Sequence, residues 1–461
     1  MSPALKLTRY LVSSDSLHAT RTGFHGRVLF NTRSGVIVSI AQRAWELVAA
    51  GRIDELPSAL YRQLIDARFV VPAAEDELQA VIHENLGAIE DNDVLYQVVQ
   101  PSAWCQLDCG YCGQEHTRRR LSEDHQQEFL RRVAARLASG SYRQLKIGWF
   151  GAEPLAGIEV IRSLTPRARA LAADHGCGYS ARIVTNGLAL TPKMATELFD
   201  QHSVAEAEVT LDGLAPDHDR QRYTKAGRGS FERIFANVCA VARSTALRVV
   251  VRCNVTRANA EGVAPLIEAL AAAGLAGRVG FYTSPVYAWG NDAHESALER
   301  NNYARAEVEW LALQVRLGFQ VGLVPQRRRI VCLAVQKNAE VLDAFGATYN
   351  CTEAPYVPAY GKPNVFETRV PVAALKRAAL ETRVAPASRA ERLASFNDQI
   401  LAGAQPPCAA CVMLPVCGGQ CPKAWQEGHE PCPSAKQNMR ERLNLIFALS
   451  QPAEQSDAVS A

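Results

Sequence analysis

The chain has 461 residues, enough for two or three domains, and its 48% hydrophobic and 21% charged residues are ordinary globular usage that excludes disorder over most of its length. A formal net charge of +3 excludes the strong basic excess of a nucleic-acid or membrane footprint. No apolar stretch approaches the roughly 20 residues of a membrane span and the polar N-terminus lacks a signal-peptide core, so a cytoplasmic location is expected.

In chain order, residues 1–90 read as a small domain. Val28 to Phe30 and Val36 to Ser39 are short apolar strands around the turn composition Asn31 to Gly35, which predicts a hairpin. Helical spacing follows at Ala44, Leu47 and Val48 and at Leu60, Leu64 and Ile65, and Phe69 to Val71 stops at Pro72. A hairpin beside short helices is winged-helix-like; a plain packing domain is the alternative.

Residues 91–300 alternate strand and helix. Apolar strands are expected at Val94 to Val99, Leu145 to Phe150, Ala181 to Val184, Val209 to Leu211, Val249 to Val251 and Val279 to Tyr282. Ser122 and Thr191-Pro192 are start signals for two of the intervening helices. Six strands with crossover helices predict an α/β fold, a partial (β/α)6 barrel of the TIM type, with its chemically unusual residues at the C-terminal ends of the strands. Residues 301–450 begin with a long helix, Tyr303 to Leu317, and continue in cysteine-bearing loops and a polar stretch, 352–407. Little apolar core is visible there, so coordination rather than burial is expected to hold it. Residues 451–461 read as a disordered tail. The basic runs Arg118 to Arg120 and Arg327 to Arg329 read as solvated faces.

Thirteen cysteines are present, and in a reducing compartment clustered cysteines are metal ligands or catalytic thiols more often than disulfides. Cys177, Cys239 and Cys253 stand alone, the last two at buried core positions. Cys105, Cys109 and Cys112 share one tight loop after the first barrel strand. Three such thiolates can bind three irons of a four-iron cluster and leave the fourth without a protein ligand, whereas a structural zinc needs four.

This triplet, with Tyr111 before its third cysteine, resembles the signature of the radical S-adenosylmethionine (SAM) superfamily, and the resemblance runs from about Val94 to Cys432. It implies that the open iron chelates SAM and that an electron from the cluster cleaves SAM to methionine and a 5′-deoxyadenosyl radical. Gly151-Ala152-Glu153-Pro154 after the second strand resembles the family's GGEP segment, with alanine at the second glycine; Glu153 is expected to accept from the SAM ammonium. Asn186, Thr210 and Asp212 at the next two strand ends resemble family segments near the cofactor, and Arg222, Arg252 and Asn254 complete the expected SAM contacts.

Cys332, Gly346, Cys351, Cys408, Cys411, Cys417, Cys421 and Cys432 fall in the order of a SPASM domain, which implies two auxiliary four-iron clusters and three clusters in all. By the family's interleaved ligation Cys408, Cys411, Cys417 and Cys432 hold the outer cluster and Cys332, Cys351 and Cys421 the inner one. The inner set lacks a fourth cysteine, so an open iron, a carboxylate or histidine ligand, or Cys253 are the alternatives. Residues 1–90 resemble the PqqD-like elements that recognise precursor peptides. Together these resemblances imply an oxidoreductase that modifies a ribosomally made peptide by crosslink, thioether, epimerisation or oxidation, fed by an external electron donor such as flavodoxin or ferredoxin. A formylglycine-forming sulfatase maturase and a zinc-binding regulator are the alternatives. No catalytic acid or base is identified by the sequence.

Overall fold

The computed structural model describes residues 4–21, 23–369 and 389–451. The expected tail lies outside these except for Gln451.

The chain opens with β1 (Leu5–Leu7), β2 (Leu11–Ser13), β3 (Leu17–Ala19), β4 (Phe24–Asn31) and β5 (Ile37–Ala41). The expected hairpin is present: β4 and β5 run antiparallel with Val28 opposite Ser39. The Asn31 side chain makes its turn, accepting from Arg33 N at 2.8 Å and Ser34 N at 3.2 Å. Along β5, Val38 and Ile40 are buried while Ile37, Ser39 and Ala41 face solvent, the alternation of a half-buried strand. The other edge of β4 is taken by β2 and β3, leaving β5 at the outer edge of this sheet among the described residues. Helices α1 (Gln42–Ala49) and α2 (Ser58–Asp66) cover it, β6 (Val70–Pro72) pairs with β1, and α3 (Glu77–Glu90) leads onward.

Six strands follow: β7 (Val94–Val99), β8 (Gln144–Trp149), β9 (Gly178–Thr185), β10 (Val204–Thr210), β11 (Arg248–Val255) and β12 (Val279–Pro285). All are parallel and neighbours in space are neighbours in sequence, so every crossover steps one strand in the same direction. That ordering winds a barrel, where a reversal would make a doubly wound sheet. Strands β7 and β12 do not pair with each other, so the barrel is incomplete. The helices lie outside it. Ser122 caps α4 (Glu123–Ser139) by accepting from His125 N, and Thr191 caps α6 (Pro192–Asp200) by accepting from Met194 N, with α5 (Ile158–Asp174) between them in sequence. Outward strand residues such as Ile147, Trp149, Val209 and Val251 are fully buried against the helices. Alternate positions, including Lys146, Arg182, Glu208 and Arg252, line the concave face.

Beyond α7 (Ala215–Gln221), α8 (Phe231–Ser244), α9 (Val263–Ala272) and α10 (Arg300–Arg316), the sheet resumes. Strand β13 (Glu340–Leu342) adds parallel to β7, and β14 (Thr348–Tyr349) and β15 (Glu367–Arg369) extend the sheet to nine strands. Gly346 makes the β13–β14 turn with φ +85°, and a Cβ there would lie 2.5 Å from the His125 ring. The expectation of little apolar core in this region is corrected. Val341, Tyr349, Phe366 and Leu393 pack under Val98, and Phe396, Ile400 and Leu414 pack against Tyr10, Val81 and Ile82. Met413, Val416, Met439 and Leu443 pack against Val28 and Phe30. Apart from the 16-residue helix Ala435–Ser450 that carries Met439 and Leu443, the contributing segments are short, and their partners lie in the first 90 residues or the barrel, so local periodicity reveals little of this core.

Candidate cofactor and cluster site

The loop after β7 carries the triplet. Leu107, fully buried, anchors it, and backbone bonds from Asp108 N to Tyr223 O and from Gly110 N to Gln221 O, each 2.9 Å, tie it to the end of α7 and the residues just after it. Cys105 is 6% exposed; its sulfur accepts from Leu107 N at 3.4 Å and from Asn186 Nδ2 at 3.6 Å, donors of the kind that stabilise a cluster-bound thiolate. Burial pushes the free thiols up, Cys105 to about 12 and Cys109 to about 11, so coordination has to displace protons that otherwise stay bound. Among the described residues no three His, Cys, Asp or Glu side chains converge on a single ion. A four-iron cluster instead seats each thiolate on its own iron.

The three cysteines rim one cavity at the C-terminal ends of the strands, together with Tyr111, Gly151, Ala152, Asn186, Thr210, Arg222, Arg252 and Asn254. Gly151 takes φ +108°, and a Cβ would meet the Gln100 side chain at 2.8 Å, so glycine is required there. Ala152 does not take a positive φ, which is why alanine fits the second position.

Three of the singled-out residues stand outside the cavity wall. Pro154 opens a short 3₁₀ turn, Pro154–Gly157. Glu153, 1% exposed, accepts from Leu155 N (2.9 Å), Thr185 Oγ1 (2.7 Å) and Asn186 N (2.8 Å). Burial pushes its carboxyl up while these donors oppose the shift. Its carboxylate thus braces the end of β9, where direct contact with a ligand ammonium was expected. Asp212, fully buried, accepts from Tyr111 Oη at 2.6 Å and from Asn254 N at 2.8 Å.

The Tyr111 hydroxyl is a hub. It donates to Asp212 and accepts from Arg222 Nη1 at 2.6 Å and Asn254 Nδ2 at 3.0 Å. Burial raises the tyrosine and Asp212, and Arg222 beside both lowers them, its own guanidinium held charged by Cys109, Tyr111 and Asp212. Arg222 Nε is buried without a partner on the cavity wall, an orphaned donor that fits an anionic cluster or a ligand carboxylate.

The remaining cysteines form two sets. The thiol of Cys408 feels Cys417, Cys432 and Cys411, whereas Cys332 and Cys351 each feel Cys421. The latter three line a second cavity with Glu353 and Lys423. Arg252, Tyr287, Trp289 and Glu353 face both cavities, so the triplet mouth and the inner set are adjacent. Cys253 is fully buried in β11 with Asp212 and Asp217 as its charged neighbours, so it does not join the inner set. Sequence reasoning missed Tyr287, Trp289, Glu353 and Lys423. Lys423 is 1% exposed, paired with Glu427 at 2.7 Å, its ammonium 4.7 Å from the Trp289 ring and 4.6 Å from the Tyr360 ring. Adjacency of Glu353 and Lys423 to Cys351 and Cys421 was the one signal available.

An incomplete parallel barrel thus carries three thiols and a polar hub around one cavity at its mouth. Residues 99–252 match the model of the radical SAM superfamily, a third of the chain. The chain is 31% identical over 143 residues to an uncharacterised protein of Synechocystis, a match over 29% of this chain and about a third (34%) of that protein's length. Among solved structures it is similar to native anSMEcpe with bound AdoMet (TM-score 0.55, 13% identity, 77% of this chain and 100% of that one). It is also similar to Streptococcus suis SuiB bound to precursor peptide SuiA (TM-score 0.44, 12% identity, 93% and 98%).

Proposed function

We propose that this chain is a SPASM-type radical SAM maturase with three four-iron clusters that modifies a ribosomally made peptide. The observation that carries the reading is the pair of adjoining cavities: one is rimmed by Cys105, Cys109 and Cys112, the other by Cys332, Cys351 and Cys421, and Arg252, Trp289 and Glu353 stand between them. A residue of a bound peptide placed there lies between the radical source and an oxidant. When bound, the first cluster supplies the electron that cleaves SAM. Cys105, Cys109 and Cys112 hold three of its irons, and Asn186 orients the Cys105 sulfur. The Tyr111, Asp212, Arg222 and Asn254 hub fixes the cofactor end of the cavity. Cys332, Cys351 and Cys421 would hold the inner cluster, and Glu353 is the carboxylate on the wall of their cavity. Cys408, Cys411, Cys417 and Cys432 hold the outer cluster.

The peptide reading is supported by the N-terminal sheet, whose outer strand β5 offers an edge where an extended leader can add by main-chain bonds. The fold likeness to anSMEcpe, also solved with AdoMet and a Cp18Cys peptide, supports it further, and keeps formylglycine formation as the second reading. The whole of the AdoMet-bound anSMEcpe chain aligns with 77% of this one, which leaves room here for a recognition module. The test is anaerobic incubation of the reconstituted chain with SAM, dithionite and the peptide encoded beside its gene. A changed peptide mass is expected. An unchanged peptide despite 5′-deoxyadenosine formation rejects this substrate, and oxidation of a sulfatase peptide in its place selects the second reading.

A further inference from the structure

Two basic segments clasp the cysteine loop. On one side Ala103 N donates to Arg119 O and Thr117 N to Ala103 O, both at 2.9 Å. On the other, Lys225 N donates to Gln106 O at 3.0 Å and Leu107 bridges to Thr224. Arg118, Arg119, Arg120 and Lys225 are exposed, and none forms an ion pair among the described residues. The half-buried indole of Trp104 is flanked by two of these cations, with Arg118 Cζ 5.2 Å and Lys225 Nζ 5.0 Å from its ring centroid. Asp108, exposed on the same loop, offsets one of these four charges.

This face is separate from the chemistry. The cleft formed by Ser102, Trp104, Arg118, Arg119, Arg120 and Ala156 shares no residue with the cofactor cavity. A partner seated there leaves SAM and substrate in place. Trp104 is nevertheless covalently next to Cys105, so it is the short route from this surface to a cluster ligand.

We propose that this face docks an acidic one-electron carrier protein. The inference rests on the functional reading above, in which SAM cleavage consumes one electron per event and the electron must come from outside. The carrier is oxidised by one electron and the cluster held by Cys105, Cys109 and Cys112 is reduced by one, with no bond made or broken in the transfer. Unpaired cations beside the ligand loop steer a negatively charged carrier to the side of the loop that is not occupied by substrate.

The test uses the full-length holoenzyme and reduced flavodoxin as the probe. Arg119→Glu/Arg120→Glu and Lys225→Glu are compared with wild type, and Arg119→Gln/Arg120→Gln serves if charge reversal impairs folding, with iron content as the check. Expected are weaker flavodoxin binding and cluster bleaching about tenfold or more slower at low salt, the gap closing as salt rises. Dithionite should bleach all forms alike. Equal flavodoxin binding and bleaching in wild type and variants overturns the proposal, as does a face that binds nucleic acid or leader peptide while flavodoxin binding is unaltered. A wild type bleached by dithionite that cleaves no SAM instead fails the functional reading, and the flavodoxin binding comparison still decides the docking face.

Discussion

The hydroxyl of Tyr111 meets side chains 101, 111 and 143 positions away, in Asp212, Arg222 and Asn254. Asp212 and Asn254 stood out as polar residues at or just past strand ends and Arg222, after α7, through the family resemblance; that they form one hub was not legible, since sequence spacing carries no information about which ends of elements face each other. Glu153 shows the converse: the motif was legible, but the donors its carboxylate reaches, two backbone N–H groups and the Thr185 hydroxyl, are not marked by the motif. His218, fully buried behind the hub, accepts from Asp212 N at Nδ1 and so keeps its proton on Nε2, facing Ser230 Oγ at 3.0 Å. Burial, with Arg222 beside it, pushes the imidazole from 6.5 down to about 3. Between those values the unfolded chain binds a proton that the folded chain refuses, so stability falls as pH drops below 6.5, by about 2 kcal/mol at pH 5. Denaturant unfolding at pH 7 and pH 5 should show this loss in the wild type and a smaller one in His218→Asn; equal losses would contradict the assignment.

The six barrel strands were legible because parallel strands covered by helices read as nearly continuous apolar runs. Strand β10 begins at Val204, well before the expected Val209, since Glu206 and Glu208 face the polar concave side and break the apolar run. Strands β13 to β15, two or three residues each, are too short to carry a period. Besides its backbone pairing and apolar packing, β13 has an ionic anchor. Glu340 on β13, with a side chain 4% exposed, receives Arg132 and Arg136 of α4, the latter at 2.6 Å, and Arg136 also donates to Gln97 of β7 at 2.7 Å. Glu340→Ala leaves the buried Arg132 with only the more exposed Glu128, at 3.3 Å, and should cost about 3 kcal/mol and, on the proposed function, loosen retention of the inner cluster. Thermal unfolding and iron content check this; an unchanged melting midpoint would show that the triad is not what ties β13 to the barrel.

At the scale of the whole molecule, the first 90 residues and the C-terminal region complete each other's cores through Tyr10, Val81, Ile82, Val28 and Phe30. Long-range burial of this kind is invisible to a local reading, whereas Cys105, Cys109 and Cys112 stand out in the sequence because they lie within eight residues of one another. The proposed function stands or falls on the triplet. Anaerobic reconstitution of wild type and of Cys105→Ala/Cys109→Ala/Cys112→Ala, each with SAM and dithionite, tests it by assay of 5′-deoxyadenosine alongside iron content. The wild type should form 5′-deoxyadenosine and hold about twelve irons, and the triple variant should form none while keeping about eight, the content of two four-iron clusters. 5′-Deoxyadenosine from the triple variant would contradict the account.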